Sequence, residues 1–391
     1  MKKTPILLAM MIIATGQVGV SIYLPSLPLI SEALNASHAE IQLLVTLFLV
    51  GFGASQLFYG PLSDSIGRRP VFLLGQGIYL VGTILCVVFA DQLSTLILGR
   101  LLQGLGAGSA SVLGRSVLRD SYDGPQLTKA LSYISVTASI MPIIAPVFGG
   151  WMAFYLGWEA VFVFVLLYLA AIFTLGYFVL PETNSGIRSF NIIEVVKNYG
   201  QLLTNKQVVS SASYNWISYL ASLVSLSVMP FILQNQLGLT TAEYGSIMII
   251  PSAGLMIGSV SLNILNRYFS TVQLLGLSIM LMMSAGLWLL LTDTTLFNLI
   301  WAFTWLTIAQ GLSFPLSISM LLEPHKRQAG AVSALSGSIQ MCLAGLFGGF
   351  LVEHWVQSQW AMGVFYLLCA SLMGFVLFAS ARRTAMPQEF A

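Results

Sequence analysis

Apolar residues in this chain come in runs of about 20, the length a helix needs to cross the hydrocarbon of a bilayer. Twelve such runs are read, at roughly 4–26, 41–61, 70–90, 93–118, 127–150, 157–180, 207–234, 243–265, 271–291, 296–322, 328–351 and 358–381. The chain is therefore expected to be an all-α membrane protein with 12 transmembrane helices. The joints are short except one, PETNSGIRSFNIIEVVKNYGQLLTNK at 181–206, which follows the sixth run. It divides the chain into an N-terminal six-helix bundle (1–180), a linker (181–206) and a C-terminal six-helix bundle (207–391), and implies a duplicated architecture. Within the linker Ile192, Ile193, Val196, Tyr199 and Leu203 recur at helical spacing, which predicts a short amphipathic helix lying on the membrane surface.

The polar joints also carry an orientation. With the N-terminus in the cytoplasm, Lys2, Lys3, Arg68, Arg69, Arg115, Arg119, Lys129, Arg188, Lys197, Lys206, Arg267, Lys326, Arg327, Arg382 and Arg383 all fall at cytoplasmic ends. That is fifteen of the 16 basic residues, and the outer loops receive none, as the positive-inside rule requires. A missed or invented helix would have put basic residues outside, so the pattern also tests the span count. Both termini and the linker are expected on the cytoplasmic side. The opening run, preceded by Lys2 and Lys3, is too long for a signal-peptide core and shows no small-residue cleavage site, so it is read as an uncleaved first span.

Composition agrees. Charged residues are 8% of the chain and apolar ones 57%, too little charge to cover a water-facing surface. A net charge of +2 with no basic tract argues against nucleic acid as a partner. Cys86, Cys342 and Cys369 are odd in number, lie in apolar runs and have no metal spacing, so neither disulfide nor metal is expected. His38, His325 and His354 fall in polar connections. No catalytic cluster points to an enzyme, and no cofactor is expected.

One joint is more particular than a turn requires. GPLSDSIGRRP at 60–70 sits between the second and third spans. Arg68 and Arg69 fix orientation, and Gly and Pro make the turn. Neither need explains Asp64. Gly60, Leu62, Asp64, Gly67, Arg68 and Arg69 resemble the loop signature of the major facilitator superfamily, and the resemblance covers all twelve spans. It implies the major facilitator fold, two pseudo-symmetric six-helix bundles, with this loop as a cytoplasmic gate. Asp64 would be the latch acid, reaching the start of span eleven or Arg115 at the end of span four. The matching loop of the second half, NILNRYFS, keeps only Arg267.

Span four reads LILGRLLQGLGAGSASVLGRSVLRD, in which Arg100 is the one basic residue well inside a span. An arginine at that depth costs roughly 2.5–3.5 kcal/mol on insertion scales, so it should face a cavity or a partner. Gln103 lies one turn away. The run GLGAG follows no strand and is no nucleotide loop. The span resembles that of proton-coupled facilitators, where the arginine is linked to proton coupling. Span five contains SIMPIIAPVFGGW, in which Pro142, Ala145, Pro146, Gly149 and Gly150 resemble the antiporter motif, with Ala145 in place of a glycine. Together with IYLPSLP (22–28), SQLFYGPLSD (55–64), PET (181–183) and EPHKRQAGAVSALSGSIQ (323–340), these resemble the Bcr/CflA branch of the 12-span drug:proton antiporters, and its EmrD-like members most.

Many relatives carry an aspartate before the tyrosine of span one, where this chain has Ser21; no span holds a carboxylate in its middle. A cavity without a fixed anion suits hydrophobic or amphipathic drug-like substrates of no charge or diffuse charge. The candidates to line it are Gln17, Ser21, Phe48, Phe52, Gln56, Gln103, Tyr214, Asn215, Trp216 and Tyr219. Aromatics offer flat, tolerant contact, and the amides bond in either sense. The resemblance implies multidrug efflux in exchange for protons, by alternating access, in a monomer of the bacterial inner membrane. A proton-coupled importer of a small metabolite on the same fold is the competing expectation.

Overall fold

The computed structural model describes residues 3–122, 124–184 and 191–385. These form helices and tight turns, with no strand among them. Span one is Lys3–Ser21, continued by Leu24–Ser26 and Leu27–Ala33; span two is His38–Ile66, span three Arg68–Val88, span four Leu93–Ser121, span five Gly124–Leu156 and span six Glu159–Val179. A short helix, Ile192–Thr204, precedes span seven, Lys206–Pro230 with Phe231–Gln236. Span eight is Thr241–Ile247 with Ile249–Leu265, span nine Thr271–Leu291 and span ten Leu296–Leu322. Span eleven is Ala329–Cys342, Leu343–Phe347 and Gly348–His354, and span twelve is Gln359–Ala385. Among the described residues eleven of these are long and apolar enough to cross a membrane, and span five is one continuous helix that includes the apolar stretch Ile140–Leu156.

Helix pairing repeats after six spans. Two packs on four, three on four, one on four and three on six; then eight on ten, nine on ten, seven on ten and nine on twelve. Lipid tails are as apolar as leucine, so close packing has to draw such helices together. The second and fourth spans cross where a Cβ on Gly104 would fall on the Phe48 carbonyl, and the eighth and tenth cross where Gly258 meets Gly311. Each half encloses its own core, around Leu44, Phe48, Phe52 and Tyr79 in the first and Tyr214, Met282, Phe303 and Tyr366 in the second. The halves meet where span two lies along span eleven and span five along span eight.

Several spans are broken, for reasons readable in their residues. Pro25 and Pro28 cannot donate to the turns before them, so span one stops at Ser21 and resumes as a tight turn. Pro251 likewise denies a donor to the end of Thr241–Ile247, where span eight is interrupted. Spans seven and eleven each widen into a turn of i→i+5 type, at Phe231–Gln236 and Leu343–Phe347. Pro142 and Pro146, by contrast, lie inside one continuous helix.

The helix Ile192–Thr204 starts at Asn191, whose side chain accepts from the N–H groups of Ile193 and Glu194. Tyr199 and Leu202 are buried against Val208, Ala212, Leu321, Val332 and Leu335 of the second half. Tyr199 Oη also donates to the Leu57 carbonyl of span two, 3.1 Å away. Ile192, Ile193, Val196 and Leu203, most of the apolar row seen in the sequence, are exposed on the outside of the protein. That is where a surface helix would meet lipid.

Arg68, Arg69, Arg115, Arg119, Lys197, Lys206 and Arg267 all belong to one end of the bundle, here called the basic end; the other is the far end.

Candidate functional site

Arg100 is 2% exposed, so a full positive charge lies inside the first half. Its guanidinium fork satisfies three acceptors: Nη1 donates to Gln103 Oε1 (2.6 Å), Nη2 to the Gly19 carbonyl (3.0 Å) and Nε to the Leu44 carbonyl (3.2 Å). Gly19 lies in the last turn of Lys3–Ser21, where carbonyls lack helical partners and carry the negative end of the dipole. The cation is sandwiched by the rings of Tyr23 and Phe48, with centroids 3.8 and 4.1 Å away. Gln103 Nε2 passes the chain on to Thr83 Oγ1 at 2.9 Å. The cluster thus joins spans one, two, three and four. Among the described residues Arg100 forms no ion pair with a carboxylate.

At the basic end Asp64 Oδ1 pairs with Arg68 Nη1 at 2.6 Å, and Arg68 Nε reaches Asp120 of span four at 2.9 Å. The acid expected to reach span eleven or Arg115 instead pairs within its own loop. Two further residues, Glu182 and Asn184, complete the loop. Glu182 accepts from the N–H groups of Arg68 and Arg69, capping the start of span three. Asn184 Nδ2 donates to the carbonyls of Ser63 and Asp64, capping the end of span two. Gly67 lies between these caps at φ +101, and a Cβ there would collide with the Glu182 carboxylate, so glycine is required twice over. Arg69 Nη2 donates to the Tyr177 carbonyl at the end of span six, 2.7 Å away.

The Glu182 carboxyl is held below the ordinary carboxylate range: burial pushes it up, and the N–H groups of Asn184, Arg68, Arg69 and Thr183 outweigh burial. A carboxylate lowered on folding contributes stability above its unfolded pKa, and this is lost as pH falls through the folded value. Glu182→Gln is expected to cost about 1 kcal/mol at neutral pH, the scale of a lost helix cap. Thermal unfolding in detergent should show wild type losing that advantage as pH falls below the ordinary glutamate range. Parallel curves for the two proteins at all pH values would mean the cap carries no stability.

In the second half Asn215 Nδ2 donates to Gln340 Oε1 (2.8 Å), and Trp216 Nε1 to the carbonyl and hydroxyl of Ser336 (3.0 and 3.2 Å). These bonds tie span seven to span eleven. Across from them Gln56 Oε1 lies against Gly337. Gln56 also lines a cleft of about 180 Å³ at the basic end, shared with Asp64, Arg68, Arg115, Arg119, Tyr199 and Ser333.

The far end is shut. Gln234 Nε2 of span seven donates to the Pro25 carbonyl (2.9 Å), one that the broken turn of span one leaves available. Trp151 Nε1 donates to Ser246 Oγ (2.8 Å), and the His38 and Phe231 rings lie 3.8 Å apart. Span five meets span eight backbone to backbone: a Cβ on Gly150 would lie 2.5 Å from the Thr241 carbonyl and 3.1 Å from Gly245 Cα. A Cβ on Gly149 would fall on the Ile22 carbonyl of span one, inside the first half. Gly245 in turn faces the Pro146 carbonyl, and Ala145 is buried. A hollow of about 260 Å³ remains here, lined by His38, Phe231, Asn235, Val356 and Gln357 among others.

The residues read from the sequence as cavity lining therefore fall into two groups. Phe48, Phe52, Gln103 and Tyr214 are sealed inside the halves, and Ser21 is buried with its hydroxyl donating to the Gln17 carbonyl. Gln56, Asn215, Trp216 and Tyr219 gather where the halves face one another, Tyr219 packing against the core of the first half. Gln17 is half-buried on span one, as is Pro142 on span five. Tyr23, Thr83, Glu182, Asn184, Ser333, Ser336 and Gln340 were not singled out. Of these, only Tyr23, Glu182 and the span-eleven trio lie in stretches noted for their resemblance.

Residues 7–349 match the family model described as Major Facilitator Superfamily. The chain is 28% identical over 386 residues to Multidrug resistance protein D of Escherichia coli strain K12, covering 95% of this chain and 93% of that one. It is 27% identical over 359 residues to Multidrug resistance protein MdtL of Escherichia coli O157:H7, covering 92% and 90%. The crystal structure of a bacterial homologue of the human lysosomal transporter Spinster, inward-facing and unoccupied, superposes with a TM-score of 0.72 at 14% identity, over 97% of this chain and 96% of that one. That likeness is one of fold.

Proposed function

The chain belongs to the major facilitator superfamily, and on that premise we propose that it expels hydrophobic or amphipathic compounds in exchange for protons by alternating access. The observation that carries this reading is the pair of relatives named as multidrug resistance proteins, each aligned over nine-tenths or more of both chains. The arrangement of the site supports it. Gln56 and Tyr219 meet the opposite half, and Asn215 and Trp216 bond span eleven beside them, neutral groups that accept varied amphiphiles without a fixed charge. The far end is closed by contacts that cross from one half to the other, so its opening requires the halves to part there.

In this reading the two bundles are residues 1–180 and 207–391, joined by 181–206. The basic end faces the cytoplasm of a bacterial cell, both termini lie there, and the unit is a monomer in the inner membrane. The proton is relayed without a mid-membrane acid, and Arg100 takes part by holding the broken end of span one in place.

Everted vesicles energised by respiration test the exchange. A pH-sensitive dye should report loss of the proton gradient when an amphipathic substrate is added, and vesicles lacking the protein should show none. If cells expressing the protein resist such compounds while the gradient never responds, the coupling part of the proposal is wrong.

A further inference from the structure

The cleft at the basic end holds a charge pattern that neither the Asp64–Arg68–Asp120 cluster nor the amides of spans seven and eleven use. Arg115 and Arg119 lie one turn apart on span four and point across to the first turn of span eleven. Arg115 Nη1 donates to Ser333 Oγ at 3.1 Å, and Arg119 Nη1 lies 3.5 Å from where a Cβ of Gly330 would be. Among the described residues neither arginine forms an ion pair; Arg68, in the same wall, is already engaged by Asp64 and Asp120. Asp64 is the one acid in the lining, and its Oδ1 is paired with Arg68. Two guanidinium groups on neighbouring turns repel each other, and an anion between them relieves the repulsion.

The rest of the wall is of another kind: Pro61, Val112, Ala331 and Ala334 are apolar, with Ser111 and Ser116 as hydroxyls beside them. At about 180 Å³ the cleft is smaller than the roughly 300 Å³ at which drug-sized pockets begin, so it has room for a head group and not for a whole amphiphile.

We propose that this cleft binds the anionic head group of an amphiphile, a phosphate or sulfate ester held between Arg115, Arg119 and Ser333, with the alkyl tail leaving along the apolar wall. The head group would come from a phospholipid of the surrounding leaflet or from a transported anionic amphiphile. Because span four belongs to the first half and span eleven to the second, the bound anion bridges the halves. The site is independent of the direction and coupling of transport, so it stands or falls without them.

The test is equilibrium binding of decyl sulfate to the full chain in phosphatidylcholine nanodiscs, with empty nanodiscs subtracted. Saturable binding is expected in wild type, at least tenfold weaker in Arg115→Gln/Arg119→Gln and unchanged in Arg267→Gln, which alters a basic residue outside the cleft. Arg115→Lys/Arg119→Lys keeps both charges and should retain most of the affinity, which separates loss of the site from loss of the fold. Competition by added phosphatidylglycerol would identify the bilayer as the source; undiminished binding in its presence would identify a mobile amphiphile. The proposal is overturned if the folded glutamine variant binds decyl sulfate like wild type. It is equally overturned if decyltrimethylammonium competes as well as a second anionic amphiphile, or if inorganic sulfate displaces decyl sulfate at equal concentration.

Discussion

Arg100→Met should unfold at markedly lower temperature than wild type and lose transport, a cost of at least about 4 kcal/mol. The substitution keeps an apolar chain of similar length but withdraws three donors at once, from Gln103, Gly19 and Leu44. The Leu44 carbonyl lies inside helix His38–Ile66 and keeps its helical environment. The carbonyl of Gly19 and the amide of Gln103 are left buried without their donor, at roughly 1–3 kcal/mol each. Both aromatic sandwiches are lost as well, each on the order of 1–2 kcal/mol when desolvated. Arg100→Lys is the informative companion. It retains the charge, yet a single ammonium cannot span acceptors on three helices. If lysine restores stability and transport alike, charge is what the site needs and the fork is incidental. Recovery with methionine would show that the cluster is not holding span one.

Gly150→Val should shift the transporter toward a state open at the far end, by about 2 kcal/mol or some thirtyfold in population. The added side chain collides with the Thr241 carbonyl and Gly245, which belong to the other half, so separating the halves relieves the clash. Gly149→Val acts on Ile22 within one half and is not relieved by any motion between halves. It should lower stability in every state. Labelling of a cysteine placed at Ser246, behind Trp151, would distinguish the two. Faster labelling with normal unfolding is expected for Gly150→Val, and early unfolding for Gly149→Val. If the two variants behave alike, the span five–span eight contact is not a gate.

Span count and the loop motif were readable because bilayer thickness and charge sidedness act on each segment by itself. Arg100 could be singled out for the same reason: a cation in the middle of an apolar run is costly wherever its partners are. Its partners were not legible, since two of its three acceptors are main-chain carbonyls, which every residue possesses. Phe48 and Tyr214 show the converse difficulty. An aromatic in a span reads the same whether it lines a cavity or packs a core, and only the fold placed both in cores. Asp64 shares its cleft with Arg68, Arg115 and Arg119, and only the fold selects Arg68 as its partner. Glu182 and Asn184 were missed because they cap helices more than 110 residues earlier in the chain.

Those two caps set a limit on travel. The chain is pinned to the first half as far as Asn184, and from Asn191 it enters a helix packed on the second half. Seven peptide steps separate the two anchors, and a fully extended chain gains at most ~3.6 Å per residue. If the halves part at the basic end, as proposed above, the distance from Asn184 to Asn191 can grow to no more than about 25 Å while both anchors hold. In that proposal a shorter connection would limit large cargo before small, with every residue that touches the cargo left in place.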